Sequence, residues 1–322
     1  LLQVTSHSSP SPSHSHLDSC TQAEERGNKS WIGYNLNSIG IVYADKGDYE
    51  KAMDYYERSL TIDEELGDKR GMGYSLNNIG IVHADKGDYD KALDYYGRSL
   101  AISEELGDKC GMGNSLVCIG NVHHNKGDYD TALDYYERSL AIFEEIGNKH
   151  GMGYSLHNIG IVYYYKGDNE KALDYHKRSL AIQEELGDKS GMGYSLGNIG
   201  IVYWNKGDYD KTLDYLEKSL SIHKEIGQEE IELETTTYLY LTYKQLGKEY
   251  DVKEIHSLIK EAENIEFELN LRLYELLEDK SYLETAYNQV QEKADNLEPD
   301  VAAKFLSYPI PKAIVEEWEK VK

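Results

Sequence analysis

The sequence predicts an all-α fold, a solenoid of stacked antiparallel helix pairs. Three observations predict it. A block of 40 residues recurs in register from Trp31 to about residue 230, visible as Gly71-Met72-Gly73-Tyr74-Ser75-Leu76, as Gly151-Met152-Gly153-Tyr154-Ser155-Leu156 and again from Gly191 to Leu196. A turn triplet keeps the same spacing at Lys46-Gly47-Asp48, Lys86-Gly87-Asp88, Lys126-Gly127-Asp128, Lys166-Gly167-Asp168 and Lys206-Gly207-Asp208. No proline occurs between Pro12 and Pro299, which suits packed helices. A fixed period of this size means that each unit buries its apolar face on its neighbours, so the core lengthens along a line.

The elements follow in chain order. Residues 1–26, rich in Ser, His and Pro, are expected to form a disordered polar tail, because they hold too little apolar surface to offset ordering. Residues 27–228 hold five repeats, each a helix, a turn and a second helix. In the second repeat Leu76, Ile79, Gly80 and His83 have helical spacing, as do Ala92, Leu93, Tyr96, Ser99 and Leu100. Gly87 is expected to end the first helix in the left-handed conformation and Asp88 to cap the second; Gly107 and Asp108 repeat the device. Acidic residues at Glu50, Asp90, Asp130, Glu170 and Asp210 fall in a first turn, where they suit the helix dipole. Gly40, Gly80, Gly120, Gly160 and Gly200 lie inside helices, where glycine costs about 1 kcal/mol against alanine. The expected compensation is close approach to the small residues Ala52, Ala92, Ala132 and Ala172, with Thr212 the exception. Residues 229–298 are predicted as two worn helix pairs, the second turning at Glu278-Asp279-Lys280. Residues 299–322 are predicted as capping helices opened by Pro299 and Pro311, the last carrying Trp318.

This pattern resembles the tetratricopeptide repeat (TPR). Leu76, Gly80, His83, Ala92, Tyr96 and Ser99 fall on its motif positions, as do Leu156, Gly160, Tyr163, Ala172, His176 and Ser179. The family's tryptophan is leucine here, and its closing proline is Glu64, Glu104 and Glu144. The long period, the run Asn78-Ile79-Gly80 and the Gly-Asp-Lys linker are similar to LGN/Pins-type adaptors and, more loosely, to kinesin light chains. Near-identical repeats also occur in microbial signalling proteins beside kinase or cyclase domains. The resemblance implies a TPR-type α-solenoid, a right-handed superhelix whose concave groove binds an extended peptide or helical segment.

In such arrays the first helix of each pair lines the groove, so the stripe carrying Tyr34, Asn37, Ser38, Ile41, Ala44 and Asp45 marks it in the first repeat. Along the chain this stripe changes from small and acidic to large and aromatic. One column reads Asn37, Asn77, Val117, His157, Gly197; another Ala44, Ala84, His124, Tyr164, Trp204; a third Asp45, Asp85, Asn125, Tyr165, Asn205. Tyr164, Tyr165 and Trp204 are predicted anchors, since such side chains join large contact area to a polar handle. The resemblance implies that Asn78, Asn158 and Asn198 hold the main chain of a bound peptide. Tyr34, Tyr74, Asn121 and the column residues Asn37, Asn77, His124, Asn125, His157 and Asn205 complete the candidate groove. The column Asp63, Ser103, Phe143, Gln183, His223 is read as drift on a free surface.

The formal net charge of −24 and the absence of a basic cluster argue against nucleic-acid and anionic-membrane partners. They favour a protein or peptide partner with a basic or amphipathic segment, with self-association left open. Three cysteines (Cys20, Cys110, Cys118) form no even framework, which fits a reducing, cytoplasmic setting. Cys110, Cys118, His123, His124, His150 and His157 crowd around the third repeat, but no zinc-ligand spacing links them. No cofactor, metal site or catalytic residue is expected. The function that the sequence predicts is a non-catalytic interaction scaffold. Its rivals are a regulatory or sensor module of a larger signalling protein and a receptor for a short signalling peptide.

Overall fold

A computed structural model describes residues 29–228, 232–262 and 264–322. The predicted tail over residues 1–26 lies outside the described residues. Among those described, sixteen helices and no strand are present. The five repeats give five pairs: α1 (Lys29–Asp45) with α2 (Tyr49–Leu66), α3 (Lys69–Asp85) with α4 (Tyr89–Leu106), α5 (Lys109–Lys126) with α6 (Tyr129–Glu145), α7 (Lys149–Tyr165) with α8 (Asn169–Leu186), and α9 (Lys189–Asn205) with α10 (Tyr209–Ile226). Six shorter helices follow: α11 (Glu232–Gln245), α12 (Val252–Glu261), α13 (Phe267–Leu277), α14 (Lys280–Asp295), α15 (Pro299–Ser307) and α16 (Pro309–Val321). The final helix thus starts at Pro309, two residues before the predicted Pro311. Proline suits either place, since the first turn leaves its missing N–H without consequence.

The turn chemistry explains the sharp helix ends. Gly47, Gly87, Gly127, Gly167 and Gly207 have φ between +72° and +89°, a region that L side chains rarely adopt. The next aspartate caps the following helix, as when Asp168 accepts from the Lys171 N–H at 3.1 Å. Asp88 departs from the expectation. Its carboxylate makes no backbone cap and instead accepts from Lys91 Nζ at 2.6 Å.

The chain divides into two compact units, one holding residues 29–122 with 134–151 and the other 123–133 with the described part of 152–322. In the first, Ala52, Tyr56, Ile79 and Val82 form one core cluster and Ala92, Tyr96, Ile119 and Val122 the next. In the second, Ile159, Ile199, Leu216, Tyr238, Leu273, Val290 and Ile314 are fully buried. The helix-interior glycines face a larger partner than the alanines expected. A Cβ on Gly80 would come within 2.6 Å of the Tyr96 ring, and one on Gly160 within 2.7 Å of the His176 ring. Gly40, Gly80, Gly120 and Gly160 therefore make room for the ring one turn beyond the alanine, and Gly200 does so for Leu216.

The column read as drift is corrected by burial. Asp63, Ser103, Phe143, Gln183 and His223 are all buried. The glycines Gly71, Gly111 and Gly151 sit against the first three, at 2.6, 2.5 and 2.5 Å from a would-be Cβ. Beside this column, Ser59, Ser99, Ser139, Ser179 and Ser219 each donate to a glycine carbonyl of the preceding helix, at 2.8 to 3.0 Å. The column varies because a glycine opposite it accepts many side chains, not because it is free.

Candidate interaction surface on the first helix of each pair

The predicted stripe has a different state in each unit. In the first unit it is open over the first two repeats, whereas Val117 of the third is buried. Tyr34 is 63% exposed and Tyr74 52% exposed, and Asp45 and Asp85 are exposed with them. Asn37, Asn77, Asn78 and Asn121 are half-buried. Two asparagines bridge neighbouring first helices: Asn78 Nδ2 donates to Asn37 Oδ1 at 2.7 Å, and Asn77 Nδ2 lies 3.7 Å from Cys118 Sγ. The Asn77 Oδ1 acceptor is buried and has no donor. Asn121 is held by its own repeat, accepting from the Tyr136 hydroxyl at 2.7 Å. Burial pushes the Cys118 thiol up to about 11, against the Asn77 contact, so this sulfur is a neutral packing group at neutral pH.

In the second unit the stripe is filled by the chain itself. Tyr164 is 2% exposed and Tyr165 6%; His124, His157, Asn158 and Asn198 are equally enclosed. The predicted open anchors Tyr164 and Tyr165 are thereby corrected to core residues. Tyr164 donates its hydroxyl to Glu268 of α13, which also accepts from Tyr238 at 2.5 Å. The Tyr165 ring lies 5.3 Å from Tyr129 and 6.2 Å from Phe267. Tyr129 in turn packs against Tyr308 at 5.0 Å and Phe305 at 6.2 Å. Lys304 joins Lys166 on the Asp130 carboxylate. Helices α15 and α16 thus reach back onto residues of the third and fourth repeats. Asn198 lies 3.4 Å from His157 Nε2 and joins two repeats, a structural role in place of the peptide-holding one. Trp204 is half-buried under the Arg272 guanidinium at 4.6 Å, Asn125 is half-buried, and Asn205 is exposed.

The electrostatics follow the enclosure. Burial, helped by the Lys293 charge, holds the His124 imidazole down to about 3. Burial and the neighbouring His157 hold His176 well below the ordinary histidine range. Neutral rings of this kind pack as aromatic groups. Among the described residues no three His, Cys, Asp or Glu side chains converge as a metal site, and no helix is long and apolar enough to cross a membrane.

The missed feature is the α13 cluster of Glu268 and Arg272 under the aromatic end of the stripe. The sequence signal was present: the pair Tyr164-Tyr165 in the fourth repeat and Trp204 in the fifth, with Glu268 and Arg272 four residues apart in a worn helix downstream.

Comparison with known families decides the class. A tetratricopeptide repeat profile matches residues 32–105 and 111–185, and a second profile of the same description matches 193–226, together more than half of the chain. The chain belongs to the tetratricopeptide repeat family. A search of curated protein sequences returns no significant match. Among solved structures, this TPR chain is similar to BtubC (BKLC) from P. vanneervenii, at 21% identity and TM-score 0.58 over 66% of this chain and 90% of that one. It is also similar to a Rap protein complexed with Competence and Sporulation Factor, at 16% identity and TM-score 0.62 over 95% of this chain and 81% of that one. The Rap conjugation gene regulator of plasmid pLS20, complexed with the Phr* peptide, aligns at 15% identity and TM-score 0.62 over 92% and 78%. At these identities the likeness is one of fold.

Proposed function

We propose that this TPR array is a non-catalytic scaffold that holds an extended, basic peptide along the first helices of its first two repeats, Tyr34 and Tyr74 being the anchors. The observation that carries the proposal is the open stripe itself. Two exposed tyrosines recur one repeat apart, with the donorless Asn77 Oδ1 between the second and third repeats. Tyrosine supplies contact area at small entropic cost, and a buried acceptor gains from a peptide N–H. Asp45 and Asp85 and the net charge of −24 favour basic residues in the ligand and faster encounter with it.

The peptide-receptor reading is supported by the Rap regulator of pLS20, which spans a similar length and was solved with a peptide. The test is selection from a random displayed peptide library on the whole chain and on a Tyr34→Ala/Tyr74→Ala/Asn77→Ala variant. Basic sequences enriched by the native chain and lost by the variant, with helicity and melting preserved, support the reading. Equal enrichment by both, or none by either, overturns it.

A further inference from the structure

The second unit holds a pocket of about 580 Å³ between the fourth and fifth repeats and helices α13 and α16. This volume lies within the range of small-ligand sites. Its origin is a single departure from the repeat. The residue after the capping aspartate is Tyr49, Tyr89, Tyr129 and Tyr209 in four repeats but Asn169 in the fourth. At Tyr129 the ring fills the space toward the C-terminal helices and is almost completely buried against Tyr308 and Phe305. At Asn169 the shorter side chain leaves the corresponding space open beside Pro309, whose Cγ would lie 2.7 Å from a Cβ on Gly167.

The polar groups of this pocket are unevenly matched. The Asn169 Oδ1 is buried and receives no hydrogen bond. Arg272 is already committed: Nη1 donates to both oxygens of Glu275 at 2.9 and 2.8 Å, and Nε to the Tyr238 hydroxyl at 3.3 Å. Lys320 Nζ donates to Glu317 at 3.0 Å. The third lining carboxylate, Glu316, pairs loosely with Lys312 at 3.8 Å, both side chains being more than half exposed, and helps to raise the Lys320 pKa. The lining therefore carries two cations and three carboxylates, and an anion would enter against an excess of negative charge. Leu271, Ile310 and Ala313 supply apolar wall.

We propose that this pocket binds a protonated amine or guanidinium on a short apolar stem, its head between Asn169 and Glu316 and its stem on the apolar wall. The ligand is either a free small cation or the lysine or arginine side chain of a peptide. The proposal does not depend on the open stripe, which lies in the other unit.

The test is calorimetric titration of the whole chain at physiological salt, with agmatine and Nα-acetylarginine amide as the two cations and butanol as the neutral stem. Asn169→Tyr restores the residue of the other four repeats, and Glu316→Gln removes one surface charge without altering shape. The expected result is saturable binding of at least one cation and none of butanol, weakened about tenfold or more in each variant. Preference for agmatine assigns a free cation; equal or tighter binding of the acetylated amide assigns a peptide side chain. No saturable binding to the native chain, or binding unchanged in Glu316→Gln, overturns the proposal. Retained binding by a folded Asn169→Tyr does the same.

Discussion

The Tyr164 hydroxyl donates to the Glu268 carboxylate 104 residues further along the chain, where both groups are buried. This bond joins the fourth repeat to helix α13, within the unit where the stripe is core. Tyr164→Phe leaves Glu268 with Tyr238 as its remaining tyrosine donor. It should therefore lower stability by about 1–3 kcal/mol, the cost of under-satisfying a buried charged acceptor. Tyr74→Phe, at an exposed site of the same stripe, should change stability by less than about 0.5 kcal/mol. Urea unfolding with a fixed m-value measures both.

Asp63 gives a pH dependence of unusual sign. Burial, with the Asp68 charge, pushes its carboxyl up to about 6, against hydrogen bonds from Ser75 and Ser59. The folded state therefore holds this proton more tightly than the unfolded chain, whose value is near 3.8. Stability from this group is fully present below pH 3.8 and is lost as pH rises through about 6. Asp63→Asn should accordingly raise the melting temperature at pH 8, by about 1 kcal/mol of stability after allowance for screening, and should do little at pH 4.

His176 acts in the opposite direction. Its folded-state pKa is depressed by burial, so the neutral ring is stable above the ordinary value of 6.5 and stability falls as pH drops below it. Both ring nitrogens are buried without partners. The fifth repeat carries Leu216 at this place, against Gly200. His176→Leu should stabilise the chain by about 1–3 kcal/mol and move acid unfolding to lower pH, as followed by circular dichroism.

Gly47 and Gly127 form a matched pair. Both have positive φ, +72° and +89°, so alanine at either adds strain of about 1–2 kcal/mol. Gly47 has nothing within 4 Å of a would-be Cβ, whereas at Gly127 the Phe305 ring lies at 2.7 Å. Gly127→Ala should be the more damaging by a further 1–3 kcal/mol or so, from overpacking of α15. Equal losses in thermal melts would show that α15 does not hold this position in solution.

The repeats were legible because each carries its own period and turn glycine, with a capping aspartate that goes unused at Asp88 alone among those described. The helix pairs thus fall where Gly87, Asp88 and Gly107 place them. Side-chain partners were less legible. A glycine such as Gly80 announces a close approach but not whether Ala92 or Tyr96 makes it. Variation at Asp63, Ser103 and Phe143 looked like exposure, because a facing glycine relaxes the volume constraint that usually keeps a core column uniform. The aromatic residues Tyr164 and Tyr165 were legible as buried-area carriers, but the same chemistry serves a ligand or the chain's own helix. Only the fold of residues 267–308 decides between them, and those residues carry no period. Asn169 was visible as the exception in its column, but a single shortened side chain shows its pocket only once α13 and α16 are placed beside it.

Hydrogen exchange of the whole chain, with and without the tightest peptide from library selection, tests the central claim most directly. The account predicts slowed exchange along residues 34–45 and 74–85, the open stripe of the first unit. Slowing confined to residues 154–165 and 194–205 would contradict it, since a ligand there would have to displace the chain's own Glu268, Phe305 and Tyr308.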